Sequence, residues 1–165
     1  MTAMRAAAYA IPGDITTPTG GYIYERRMLE GLRAQGRDVA HLQLHDGFPF
    51  PDAAASDDAL AQLGALPADC PVIVDGLVFG ALDPAGLARV RAPLVGMIHH
   101  PLALEEGLSE AARTHLYETE RANAARAAHI LVPSPHTRDI LTERYGVDPS
   151  RITIAPPGTD RPRLS

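Results

Sequence analysis

The side chains best suited to chemistry stand where short apolar runs end. Ile98-His99-His100-Pro101 closes the run that begins at Leu94. An imidazole released at the end of a buried strand can hydrogen-bond a hydroxyl or move a proton near neutral pH. Two neighbouring histidines on extended backbone point in opposite directions, a poor arrangement for one metal. His41, His45, His115, His129 and His136 show no ligand spacing either, so no metal is expected. A strand-end histidine also has a purely structural reading. The loop from Pro12 to Gly21 ends in Gly20-Gly21 and runs into a helix. Free amides at such a start favour an anion such as phosphate, and a simple tight turn is the competing reading. Neither G-x-G-x-x-G nor G-K-[ST] occurs there, which excludes the dinucleotide fingerprint and the P-loop.

Asp75-Gly76 follows a third apolar run and is a further candidate. Glu105, Glu106, Glu118 and Glu120 could act as acids or bases, but helix glutamates are mostly solvated surface. Ser134 precedes Pro135, which suits a helix cap better than a nucleophile, and no G-x-S-x-G surrounds it. The single cysteine, Cys70, excludes an internal disulfide and is read as a small buried hydrophobe.

These residues need a scaffold, and the hydrophobic pattern supplies one. Short runs at Arg5 to Ile11, Val39 to Leu44, Pro71 to Asp75, Leu94 to Ile98, Ile130 to Val132 and Ile152 to Ala155 read as strands buried on both faces. Helices are expected over Gly21 to Gln35, Asp57 to Leu66, Asp83 to Val90, Ser109 to Ala128 and Ser134 to Tyr145. On the first of these, Tyr22, Met28, Leu29 and Leu32 share a face. The segment Asp46 to Asp57 reads as a surface loop. The alternation predicts an α/β fold: a Rossmann-like or flavodoxin-like doubly wound, mainly parallel sheet flanked by helices. Ligands then gather at the carboxyl ends of the strands.

The chain has 165 residues, 45% of them hydrophobic, enough for one packed domain. Its net charge is -5 with both signs mixed, which argues against nucleic acid as a partner, and every one of its Lys/Arg residues is arginine. The lack of lysine argues against a phosphoryl-accepting receiver domain, which needs clustered aspartates at the ends of strands one and three and a lysine. No run of 18 apolar residues or signal peptide is evident, so a reducing, cytoplasmic setting is expected.

Four stretches together resemble the N-terminal domain of GT-B fold glycosyltransferases, specifically family 4 (group 1). They are GGYIYERRMLEGLRAQGRDVAHL, LVGMIHHP, ETERANAARAAHILVPSPHTRDIL and YGVDPSRITIAPPGTD. They span about residues 5 to 160. The resemblance implies a retaining enzyme that moves a sugar from a nucleotide-sugar donor to a hydroxyl acceptor, usually without metal or other cofactor. It implies that His99 contacts the transferred sugar or acceptor, with His100 beside it. Gly20 and Gly21 would lie near donor phosphates or acceptor, and Ser134 and Thr137 would start a helix facing the interdomain cleft.

On this reading residues 1–160 form the acceptor-side domain and 161–165 begin a linker. The family's E-x7-E signature and its donor-diphosphate residues belong to a C-terminal domain absent from this sequence. The chain alone is therefore expected to be inactive, and to self-associate through the face that the other domain would cover. The alternative is a stand-alone α/β module that binds a small anion or nucleotide without catalysis.

Overall fold

In the computed structural model residues 6–14 and 20–156 are described, the side chains of residues 20–22 excepted. In chain order the elements are β1 (Ala7–Pro12), α1 (Gly20–Ala34), β2 (Val39–Leu44), α2 (Ala53–Gly64), β3 (Val72–Asp75) and α3 (Gly76–Phe79). They continue with α4 (Pro84–Leu87), β4 (Leu94–Met97), a 3-10 turn (Leu102–Leu104), α5 (Glu110–Arg126), β5 (His129–Val132) and α6 (Pro135–Tyr145). A second 3-10 turn (Pro149–Arg151) leads into β6 (Ile152–Ile154). The predicted tail and linker beyond Pro156 lie outside the described residues, as does the loop segment 15–19.

The six strands are parallel throughout and lie in the order β2-β1-β3-β4-β5-β6. This is the flavodoxin-like variant of the doubly wound sheet, extended by one strand. From β1 the chain moves outward to β2, then returns past β1 to build the rest. Right-handed crossovers in opposite directions must place their helices on opposite faces. Accordingly α1 alone packs Leu29, Met28 and Leu32 on Tyr9, Ile11 and Val39. The other face carries Ala8, Ala10, Val72, Val74, Ile130 and Val132 against residues of α2 to α6. Side chains alternate along each strand, so Ile73 belongs with the α1 face. Asp75, two residues on and the last residue of β3, has the same parity.

Caps explain most helix boundaries. Ser109, Ser134 and Asp83 each accept an N–H from the first turn of the following helix, as their spacing predicts. Gly146 adopts φ 68°, the left-handed conformation that closes α6. Cys70 is buried in the main core.

Some expectations need correction. Asp46 to Asp57 is not simply a surface loop: Phe48 is 5% exposed within the core, and α2 starts at Ala53 on an Asp52 cap. Three consecutive alanines are strong helix formers once a cap precedes them. The helix at Asp83 stops at Leu87, short of Val90.

Nor is Glu120 solvated, unlike Glu105, Glu106 and Glu118, which are exposed. It belongs to a polar seam along α5. Thr119 donates to the Gly80 carbonyl, and the Asn123 amide donates to the carbonyls of Phe79 and Leu82 at 2.7 and 2.9 Å. The fully buried Glu120 carboxylate accepts the Leu102 N–H at 3.0 and 3.1 Å. One helix face thus fastens the loops that leave β3 and β4. The first of these loops follows Asp75 and the second carries His99.

Candidate functional site

The strand order reverses between β1 and β3, and doubly wound sheets hold their ligands at the carboxyl ends of the strands beside such a reversal. Three elements deliver titratable groups to it: Glu25 from the second turn of α1, Asp75 from the end of β3, and His99 just past β4. Their nearest donor atoms all lie within 4.8 Å of one another.

Glu25 is the member that sequence reasoning missed. It lies three and four residues before Met28 and Leu29, so it shares the buried face of α1. It is only 1% exposed. A charged residue at a core position of an amphipathic helix was the available signal. Its Oε1 stands 3.6 Å from His99 Nε2, too long for a hydrogen bond. Its neighbour Tyr24 sets the edge of its ring against the His99 imidazole, with centroids 5.1 Å apart and planes at 83°. The Tyr24 hydroxyl donates to the carbonyl of Ala155, tying α1 to the end of β6.

Asp75 is 5% exposed. Its Oδ1 accepts the Leu77 N–H at 2.9 Å and so caps α3. Thr137, 4% exposed, donates its hydroxyl to the His99 carbonyl at 3.4 Å. Ser134 accepts the Thr137 N–H at 3.3 Å. The start of α6 therefore fixes the backbone of the histidine. His100 is exposed beside it. Gly20 and Gly21 open α1, one turn ahead of Tyr24 and Glu25.

The electrostatics follow from burial. Burial pushes the Asp75 carboxyl well above the usual carboxylate range, and the adjacent Glu25 carboxyl raises it further. The Leu77 amide and His99 offset part of this. Burial also raises Glu25, while Asp75 and Tyr9 partly offset it. Two buried acids at this separation share a proton, because both cannot ionise together at tolerable cost. The Tyr9 hydroxyl forms no hydrogen bond of ordinary geometry, so it supports Glu25 by proximity. Burial lowers His99, against an opposing pull from Asp75, so the imidazole is neutral at pH 7. An O, O, N donor set of this spacing also suits a divalent cation by chemistry. A shared proton meets the same electrostatic need.

Gly76 is required for a different reason. A Cβ there would stand 2.7 Å from the Met97 carbonyl oxygen and 3.4 Å from Ile98 Cα, both backbone atoms beside His99. Gly76→Ala is expected to destabilise the fold by about 1–3 kcal/mol and to displace the end of β4. Urea unfolding checks the first effect and the His99 NMR resonances the second. Unchanged values in both would contradict the close approach.

Two other grooves, one lined by Phe50, Ala81, His115 and Thr119 and one by Asp14, His45, Asp46 and Asp58, share no residue with this cluster.

The strand order and the two-faced helix packing place the chain in the class of doubly wound α/β domains. The comparison with known families narrows this. Residues 72–163 match the model of Glycosyltransferase Family 4, and the chain belongs to that family. The matched span contains Asp75, His99, Ser134 and Thr137, while α1 lies before it. A solved structure, the serine palmitoyltransferase of Sphingomonas wittichii, is similar at 15% identity with a TM-score of 0.41. The likeness covers 94% of this chain and 38% of that one. No curated protein matches the chain.

Proposed function

We propose that this chain is the acceptor-side domain of a retaining glycosyltransferase that moves a sugar from a nucleotide-sugar donor to a hydroxyl acceptor. One observation carries the reading beyond family membership: His99 is braced on several sides at the switch point, yet its side chain stays 31% exposed. Tyr24 holds the ring and Thr137 holds the backbone. An imidazole so placed can hydrogen-bond a sugar hydroxyl near the reacting carbon.

The backbone amides that open α1 at Gly20 and Gly21 supply a positive end for donor phosphate or an acceptor group. Asp75, Ser134 and Thr137 act here by shaping the rim, since each spends its side chain on protein partners. His100 borders the opening and is free to meet an acceptor. The remaining donor contacts belong to a second domain, whose closure would exclude water and suppress hydrolysis. Ile23 and Leu77, at 40% and 38% exposure, flank Tyr24 and Gly76 and offer that domain an apolar footing. Without it, the same face would drive self-association.

The test joins this chain to a family donor-binding domain and supplies a panel of nucleotide sugars with hydroxyl acceptors. Transfer with retained anomeric configuration is expected from the joined protein, with none from the 165-residue chain alone. Tight nucleotide binding by the single chain, with no transfer by the joined protein, would instead favour a binding module.

A further inference from the structure

We propose that Glu25 is a positioning residue that fixes the tautomer of His99, holding Nε2–H inward so that Nδ1 is the nitrogen offered to a ligand. The inference rests on the placement of His99 proposed above, and it names the ring edge and the residue that selects it.

Three observations carry it. Nε2 of His99 and Oε1 of Glu25 face one another at 3.6 Å. Both atoms are buried, and neither has a hydrogen-bond partner. The imidazole nevertheless keeps 31% of its side-chain surface exposed, so the exposed part is not Nε2. A ligand must meet the ring by another edge, and the only other polar atom on it is Nδ1. A contraction of a few tenths of an ångström turns the Nε2–Oε1 approach into a charge-assisted hydrogen bond. Active-site hydrogen bonds are commonly long before substrate binds and tighten afterwards.

The groups around the ring agree with this polarity. Tyr9 from β1 and Asp75 from β3 both adjoin the Glu25 carboxylate. Tyr24 from α1 meets the ring edge-on, and Thr137 from α6 holds only the backbone carbonyl. Of the two donors beside the Glu25 carboxyl, the Tyr9 hydroxyl and the His99 ring, it is Nε2 that faces Oε1, at 3.6 Å. One proton shared by the two acids leaves a carboxylate acceptor beside the ring. No bond is made or broken in this role: Glu25 orients, and the neutral Nδ1 accepts.

The experiment is NMR of the nitrogen-15-labelled chain, correlating the His99 ring protons with both ring nitrogens near neutral pH. A slowly exchanging imidazole N–H attached to Nε2 is expected. It should vanish in Glu25→Leu and persist, weakened, in Glu25→Gln, which retains an acceptor oxygen and guards against misfolding. In the joined, donor-competent protein, Glu25→Gln should lower kcat at least 10-fold with little change in donor KM. A protonated Nδ1, or an Nε2–H signal unchanged in Glu25→Leu, would overturn the proposal. So would stoichiometric zinc retained by the native chain and lost in Glu25→Gln, which would make the cluster a metal centre. The NMR readout does not depend on activity. A correct tautomer without sugar transfer would therefore sink the functional reading and leave this one standing.

Discussion

Replacing His99 by alanine is expected to lower sugar transfer by about 100-fold or more while leaving the fold intact. The asymmetry comes from where the ring sits. It is 31% exposed, so its truncation creates little internal cavity. The surrounding backbone is held independently. Ile98 N–H bonds the Leu131 carbonyl at 3.0 Å, Thr137 holds the His99 carbonyl, and Glu120 holds Leu102. The loop should therefore stay in place without the imidazole. What is lost is a polar contact near the reacting centre. If that contact strengthens in the transition state, kcat falls and donor KM changes little. Steady-state kinetics of the joined protein separates the two parameters, and unfolding curves check that stability is unchanged. Because burial lowers the imidazole pKa, the wild-type ring stays neutral through pH 7 and above. Transfer should then decline only on the acid side. Wild-type turnover in His99→Ala would remove the residue from the mechanism.

The largest effect on stability is expected at Glu120. Burial pushes its carboxyl up to about 7 from an ordinary 4.5, against the partial relief of the Leu102 and Ala103 amides and the Tyr145 hydroxyl. The sign follows from linkage. A group whose pKa is higher folded than unfolded holds its proton more tightly in the native state. Its stabilising contribution is complete below pH 4.5 and is lost as pH rises through about 7. The difference between those limits amounts to about 3 kcal/mol.

Glu120→Gln keeps an acceptor for the Leu102 N–H and removes the titration. The variant should match the wild type near pH 4 and exceed it at pH 8. Urea unfolding at a series of pH values between these limits reads the difference directly. Asp75 and Glu25 bend the wild-type profile in the same direction, and they remain in the variant. The gap between the two curves therefore belongs to Glu120. Parallel curves would show that the carboxyl titrates normally. The consequence reaches the site, because Glu120 pins the turn that follows His99.

The sequence alone determined the alternation of elements, and local chemistry explains why. Short β-branched runs bounded by turn residues, such as Val72 to Val74, read as strands covered on both faces. Serine or aspartate followed by proline fixes a helix start without reference to the rest of the chain. For the same reason Asp75 and His99 were legible as strand-end residues, and three of the four stretches of family resemblance, those from Leu94 onward, lie within the match over residues 72–163.

What only the tertiary structure decided is which of these ends meet. Strand order is a non-local property, set by the reversal that places β3 beside β1 rather than beyond β2. That reversal lays α1 alone on its face and carries Glu25 under His99. Helical spacing sets Glu25 on the stripe of Met28, Leu29 and Leu32, away from the exposed Glu30, but only the packed sheet shows which strand end it meets. Glu120 and Glu118 differ in the same way: two residues apart on α5, they face the core and the solvent because a helix turns by about 100° per residue. Burial, and with it the protonation state of each carboxyl, is a property of the packed molecule.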